Sequence, residues 1–378
     1  MENLVLYRKY RPRSFADMVN QEHVVRTLEN AISQNKVAHA YLFCGPRGTG
    51  KTTVARLLAK AMNCEKRSSF EPCNKCDACV EINAGRALDL IEIDAASNRG
   101  IDEIRELREG IKFSPSRLRY KVFIVDEVHM LTREAFNALL KTLEEPPSHA
   151  IFILATTEIH KVPQTIISRC QRFDFHKLTL DKIVERLKFL AKEEGVKIDK
   201  EALELIAINA DGSVRDGESL LGQVMAMEDK EITLAEVQTL LGTTDIGAVS
   251  KMADFLAAKD VKGAIIHINS LAEQGYDSAQ FAKALINYFR KMMILNSARG
   301  ADAALNPVLT ELRRLVVPEL TQEQLAAILA QGQKFSSADY IKILRLLIRA
   351  ENETKSSVLP QLPLELVVME LLSDRAIK

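Results

Sequence analysis

The sequence predicts a doubly wound α/β domain followed by all-helical segments, and three observations carry that expectation. Gly45-Pro46-Arg47-Gly48-Thr49-Gly50-Lys51-Thr52 fills a G-x-x-x-x-G-K-[ST] template between the apolar run Ala40 to Cys44 and a helix-like stretch from Val54. Lys121-Val122-Phe123-Ile124-Val125-Asp126-Glu127 reads as a strand buried on both faces and ending in two carboxylates. Strand patterns alternate with helical ones to about residue 176 and are not expected beyond Leu178.

In chain order, strands are expected at Tyr41–Cys44, Leu88–Ile93, Val122–Asp126, Ile151–Ala155 and Gln171–Phe175. Ile101–Lys112 and Thr132–Leu143 have helical periodicity. The second places Phe136, Leu139, Leu140 and Leu143 on one face and stops at Pro146-Pro147. Ile183, Leu187, Leu190 and Ala191 mark a helix, Ala202 to Ala210 a second, and a third follows Ser213, closing a small helical domain near Gly242. From Asp245 onward helices are expected, among them Met252–Ala258, Val261–Glu273, Gln280–Asn296, Thr321–Gln331 and Ala338–Asn352. The expected division is residues 1–177, with a four-cysteine insert at 64–79, then 178–242, then 243–378. No repeat or low-complexity linker marks these borders, which rest on the change of structural class.

At 378 residues the chain is long enough for two or three domains, and 47% apolar with 27% charged residues is ordinary for a soluble globular protein. No uncharged apolar run reaches the ~18 residues of a membrane span, and Met1-Glu2-Asn3 opens no signal peptide, so a cytoplasmic protein without membrane contact is expected. A formal net charge of zero confines nucleic-acid contact to a local patch or to an assembly. The absence of Trp and 6% aromatic content argue against a stacking platform for single strands.

The glycine template is a phosphate-binding loop in its proper setting. A strand leads into a tight turn whose backbone N–H groups converge on an anion, and the following helix presents its positive N-terminal end. An isolated template has a plainer explanation as a glycine turn with an exposed lysine, and the flanking strand and helix argue against it. Lys51 is expected to be a surface-loop charge aimed at the β/γ-phosphates, with Thr52 offering its hydroxyl to Mg²⁺. Asp126, at the C-terminal end of its strand, is placed to hold the same ion, and Glu127 to orient and deprotonate an attacking water. This chain is thus expected to bind and hydrolyse ATP.

Cys64, Cys73, Cys76 and Cys79 form C-x8-C-x2-C-x2-C, whereas Cys44 and Cys170 stand alone. In a reducing compartment such a cluster points to metal, and four thiolates close a tetrahedral Zn²⁺ shell with no position for water, which marks a structural site. A redox C-x2-C lacks its strand–helix context here. The stretch Glu65 to Pro72 is too polar to supply its own core, so zinc would supply folding energy. Because the insert lies outside the phosphate loop, metal loss is expected to leave ATP binding largely in place. Cys44 is expected to be a small core residue.

The opening Tyr7-Arg8-Lys9-Tyr10-Arg11-Pro12-Arg13-Ser14-Phe15, the phosphate loop, the cysteine insert, Asp126-Glu127-Val128-His129-Met130-Leu131, Asn137 to Pro147 and Ser168-Arg169-Cys170 together resemble the gamma/tau subunit family of the bacterial DNA polymerase III clamp loader. The resemblance is most specific up to about residue 242 and thins to helical layout beyond. It implies an AAA+ module with a five-stranded parallel sheet, a helical lid over 178–242 and an oligomerisation collar over 243–378. It further implies an ATPase of the polymerase holoenzyme, itself a DNA-directed DNA polymerase and nucleotidyltransferase, that opens a sliding clamp and loads it on primer-template DNA beside copies of itself and other loader subunits. The resemblance assigns Thr157 to the sensor at the γ-phosphate or attacking water, with Thr156 the competing choice. It assigns Arg169 to an arginine reaching a neighbouring subunit's ATP, and Arg215 to a lid sensor for the γ-phosphate of its own subunit.

Each role has a plainer counterpart: Thr157 as a turn cap, Arg169 as a solvated arginine, Arg215 as a partner of Asp211, Asp216 or Glu218. Arg99, Arg105, Arg108 and Lys112 interleave with Asp102, Glu103, Glu106 and Glu109, which reads as a salt-bridged helix more than a DNA contact. His129, beside Glu127, reads as local packing at a helix start. A different AAA+ motor, such as a branch-migration helicase, has no reason for the zinc insert. A non-hydrolysing scaffold subunit would depart from the phosphate-loop consensus, which here is intact at Lys51, Thr52, Asp126 and Glu127.

Overall fold

The computed structural model describes residues 5–67, 69–98, 100–226, 231–241, 246–297, 322–354 and 356–373. The chain divides into two compact units, Met1–Leu234 and Ala235–Lys378. The expected border at 242/243 lies outside the described residues, as do Ser68 and Arg99 and the side chains of Asp102, Glu103, Arg105 and Arg108.

The first unit opens with α1 (Leu6–Lys9) and α2 (Glu22–Ser33), then β1 (Ala40–Cys44), α3 (Lys51–Asn63), α4 (Asp77–Asn83), β2 (Leu90–Asp94), α5 (Ile101–Ile111) and β3 (Lys121–Asp126). It continues through α6 (Arg133–Glu144), β4 (Ala150–Thr156), α7 (Gln164–Ile167) and β5 (Gln171–Asp174). The five strands form one parallel sheet in the order β2-β3-β4-β1-β5. Every residue of β1 and β4 is buried, as a parallel sheet covered on both faces requires. One face packs Phe43, Val54, Leu58 and Ile153 with α2 and α3; the other packs Leu42, Phe123, Phe152 and Leu139 with α5 and α6. Cys44 is in that second core, as expected. β1 lies between β4 and β5, so its C-terminal end delivers the phosphate loop to the middle of the sheet edge where β3 and β4 also end.

The expected strand Leu88–Ile93 begins two residues later. Leu88 is 77% exposed in a turn, while Asp89 is buried and accepts backbone N–H groups from Ser116, Arg117 and Leu118, a local pattern that takes the chain out of strand geometry. After β5 come α8 (Leu180–Glu193), β6 (Lys197–Ile198), α9 (Lys200–Asn209), α10 (Val214–Met225), β7 (Glu231–Ile232) and α11 (Leu234–Leu241). Ile183, Leu187, Leu190 and Ala191 form the buried face of α8. The expectation of no strands beyond Leu178 is corrected by β6 and β7, which pair in parallel. Two residues per strand are too short to leave an alternating pattern in the sequence.

The second unit takes in α11 from Ala235 and is helical in its described residues: α12 (Ile246–Ala258), α13 (Val261–Glu273), α14 (Ser278–Ser297), α15 (Gln322–Gly332), α16 (Ser337–Thr354) and α17 (Leu362–Ser373) follow. Met252, Phe281, Leu285, Phe289, Met292, Leu347 and Val368 share its core, with α14 packed along α16. Among the described residues, no helix is long and apolar enough to cross a membrane.

Candidate active site

The phosphate loop bends as its glycines allow. Gly45, Gly48 and Gly50 have φ of 145°, 73° and 99°, and a side chain at Gly45 would strike the Phe175 carbonyl at 2.3 Å. Gly50 is followed directly by α3, whose first residue is Lys51. Lys51 is only 5% exposed, which corrects its expected place as a surface charge. Its Nζ donates to the Gly45 and Pro46 carbonyls at 2.8 and 2.7 Å, inside the loop's own curve, and burial pulls its pKa below the ordinary lysine value. The nearby Glu127 and Asp126 oppose that shift.

Thr52, one residue into α3, donates its hydroxyl to Oδ2 of Asp126 at 2.6 Å. The two predicted Mg²⁺ ligands, far apart in sequence, are thus in direct contact, and their hard oxygens suit that ion. Asp126 Oδ1 accepts the Glu127 N–H at 2.9 Å. Glu127 leaves β3 with φ 48° and ψ 44°, a left-handed turn uncommon for a side-chain-bearing residue and typical of functional sites. Its Oε2 accepts from the Thr157 hydroxyl at 2.8 Å and from the Thr157 N–H at 3.3 Å.

Thr156 and Thr157 face different partners. Thr156 is fully buried, accepts the Glu158 N–H at 3.0 Å and lies 3.0 Å from Nδ1 of His129, so Thr156 is the local cap and Thr157 faces the carboxylate. His129 does pack locally, but between acids: its Nδ1 is 3.4 Å from Glu127 Oε2 and its Nε2 is 3.4 Å from Glu158 Oε1.

A cleft joins the phosphate loop, Asp126 and Glu127 to α8, α10 and the N-terminal segment. Arg215, on α10, lines it beside Gly48, where an added Cβ would come within 1.8 Å of Ser213. Asp211 pairs with Lys177 and Glu218 with Arg186, while the Arg215 guanidinium lies 4.8 Å from the Tyr7 ring centroid. A hydrogen bond from Arg215 pulls the Tyr7 phenol pKa down. Sequence reasoning passed over Tyr7, Arg11, Pro12, Met18, Val19 and Leu178 as site residues, although all six line the cleft. Proximity to a remote loop leaves no local signal.

Arg169 is elsewhere. It follows α7, immediately before the edge strand β5, and pairs with Glu144 at 2.7 Å while also donating to the Thr165 carbonyl. It does not line its own chain's cleft.

The four clustered cysteines converge, all Sγ atoms lying within 4.8 Å of one another. Cys73–Cys79 and Cys64–Cys76 are 3.9 and 4.0 Å apart. Tetrahedral Zn–S bonds of ~2.3 Å require sulfur–sulfur edges of ~3.8 Å, so the residues fit the ion. All six cysteines are free thiols. Backbone N–H groups of Lys75 and Cys76 aim at Cys73 Sγ, lowering its pKa to about 6. Phe70 of the insert packs against Phe15 of the main domain and not in a core of the insert's own.

Residues 20–179 match the family model described as DNA polymerase III, delta subunit; 182–230 match the DNA polymerase III clamp loader subunit, ATPase lid domain; and 232–377 match DNA polymerase III subunits gamma and tau domain III. The chain is similar to DNA polymerase III subunit tau of Bacillus subtilis, with 49% identity over 82% of this chain and 55% of that one. It is 41% identical to the Escherichia coli tau subunit over 84% of this chain and 50% of that one. It is also 41% identical to DNA polymerase III subunit gamma of Buchnera aphidicola, covering 79% of this chain and 82% of the relative. The chain therefore spans about half the length of the two tau subunits.

Proposed function

Because this chain belongs to the gamma/tau family of DNA polymerase III subunits, we propose that it is an ATP-hydrolysing subunit of a bacterial replicative clamp loader. The observation that carries the reading is the contact between Thr52 and Asp126, with Glu127 held beside them by Thr157. A hydroxyl and a carboxylate 2.6 Å apart at the mouth of a phosphate loop are what an Mg²⁺–triphosphate requires.

In this reading the loop N–H groups and Lys51 bind the phosphates, Thr52 and Asp126 hold the metal, and Glu127 accepts a proton from the attacking water. Bound Mg²⁺ would neutralise charge on the phosphate oxygens. Thr157 orients Glu127, Arg215 reports the γ-phosphate to the lid, and Arg169 serves a neighbouring subunit. The four cysteines hold structural Zn²⁺. The partners are copies of this chain, other loader subunits, a sliding clamp and primer-template DNA, in the cytoplasm. An intact phosphate loop with both carboxylates speaks against a scaffold subunit, and the cysteine insert against an unrelated AAA+ motor.

The test is ATP hydrolysis by the chain reconstituted with the other loader subunits, with and without clamp and primed DNA. Stimulation by the two together supports the reading. An ATPase indifferent to both points to a different motor, and no turnover at all to a scaffold.

A further inference from the structure

Resting on that nucleotide reading, we infer that the four-cysteine insert positions the nucleotide: it clamps the strap of residues 10–19 that walls the cleft, so metal loading and nucleotide binding are coupled. Arg11, Pro12, Asp17, Met18 and Val19 of this strap line the cleft. The strap has little structure of its own beyond one 3₁₀ turn, Phe15–Asp17, closed by a Ser14–Asp17 capping box. Its position is set by what holds its ends.

One end is held by the helices of the 178–234 region. Arg186 of α8 donates to the Tyr10 carbonyl at 2.6 Å and pairs with buried Glu218 of α10. The other end is held by the insert. Both oxygens of Glu71 are used, Oε2 accepting the Phe15 N–H at 2.9 Å and Oε1 the Ala16 N–H at 2.8 Å. Lys60 of α3, 2% exposed, spends all three ammonium donors: on the Arg13 carbonyl at 2.7 Å, Asn74 Oδ1 at 2.6 Å and Asn83 Oδ1 at 2.8 Å. Asn74 occupies the positive-φ turn between Cys73 and Cys76, and Asn83 ends α4, the helix that carries Cys79. A single buried cation thus ties the phosphate-loop helix, the strap and both cysteine-bearing elements.

The insert depends on metal for its order. Its own buried cluster is Cys76, Ala78 and Cys79 with Leu118 packed alongside, too small a core to order the segment. Without the ion, Asn74 and Asn83 lose their fixed places and Lys60 is left a buried ammonium short of acceptors, a costly state that relaxation of the strap relieves. A nucleotide must then order the strap itself and binds more weakly. By linkage the converse holds, and nucleotide must tighten metal retention by the same factor. This runs opposite to what the insert's distance from the phosphate loop in sequence suggests.

The test titrates a fluorescent ATP analogue into the zinc-loaded full chain, the zinc-depleted chain and Glu71→Ala, with melting curves and zinc content recorded for each. In parallel, chelator competition gives zinc affinity with and without Mg²⁺-saturated ATP, and Lys51→Ala controls for metal bound by free nucleotide. Glu71→Ala is expected to keep its zinc and to bind the analogue about tenfold more weakly, and ATP to raise zinc affinity by a similar factor in the wild type alone. Wild-type affinity in both the zinc-depleted chain and Glu71→Ala would overturn the inference while leaving the nucleotide reading standing. A zinc-loaded wild type that binds no nucleotide would overturn both.

Discussion

Thr157 donates both its hydroxyl and its backbone N–H to one oxygen of Glu127, at 2.8 and 3.3 Å, joining the ends of β4 and β3 across the site. Fixing one carboxylate oxygen orients the other, and a base must be oriented before its basicity matters. Thr157→Val removes the hydroxyl while keeping the branched shape. A hydrogen bond to a charged group is worth about 1.5–3 kcal/mol, so steady-state turnover should fall about ten- to a hundredfold with nucleotide affinity little changed. Glu127→Gln should keep affinity and abolish turnover. Loss of binding in either variant would contradict this division of roles.

Lys51 gives a pH signature. Burial lowers its pKa below 10.5 in the free protein, and a bound phosphate must raise it by stabilising the ammonium. Lys51 therefore adds no pH dependence to affinity below its free-state value. Above that value, binding must take up a proton, and affinity falls about tenfold per pH unit until the bound-state pKa is reached. For stability the sign reverses: the depressed folded pKa means the protonated side chain costs stability at neutral pH, and that cost disappears as pH rises from the folded toward the unfolded value. Lys51→Met should accordingly lose nucleotide binding without lowering the melting temperature, measured by isothermal titration and by thermal unfolding.

The cysteine cluster predicts a zinc-to-chain ratio near one for protein purified without chelator, read by elemental analysis. Cys76→Ser should lose the metal and melt earlier, because the insert's small apolar cluster cannot replace a four-thiolate shell. Metal-free protein with unchanged melting would mean the thiols serve another purpose.

The sheet, the phosphate loop, the paired carboxylates and the cysteine cluster were legible because each is written in a short window: a glycine spacing, an apolar run, a C-x2-C. Lys60 and Glu71 were not. Each acts on backbone atoms or amides far along the chain, Lys60 on Arg13 and Glu71 on Phe15 and Ala16, and such pairings leave no period to read. Lys51 was read for its chemistry but not for its burial, since the loop that encloses it is formed by backbone carbonyls common to every sequence. The short β6 and β7 failed for a different reason, as two residues cannot show alternation.

Arg169 is predicted to act on a neighbour's nucleotide, and its present partner makes the exchange inexpensive. Its pair with Glu144 is partly exposed on both sides, 34% and 48%, and such pairs contribute roughly 0–1 kcal/mol. An arginine stabilising charge on a transferring phosphoryl group is worth roughly 10³–10⁵ in rate, about 4–7 kcal/mol of barrier. Leaving Glu144 is therefore a small cost against the gain at the transition state. Glu144→Ala should leave stimulated hydrolysis intact or slightly raised, whereas Arg169→Ala should keep ATP affinity and lose the clamp- and DNA-stimulated rate. Mixing Arg169→Ala with Lys51→Ala chains should restore part of that rate, because the phosphate loop of one can meet the arginine of the other. Co-assembled mixtures that recover nothing, or a monomer with full stimulated hydrolysis, would place Arg169 outside the reaction.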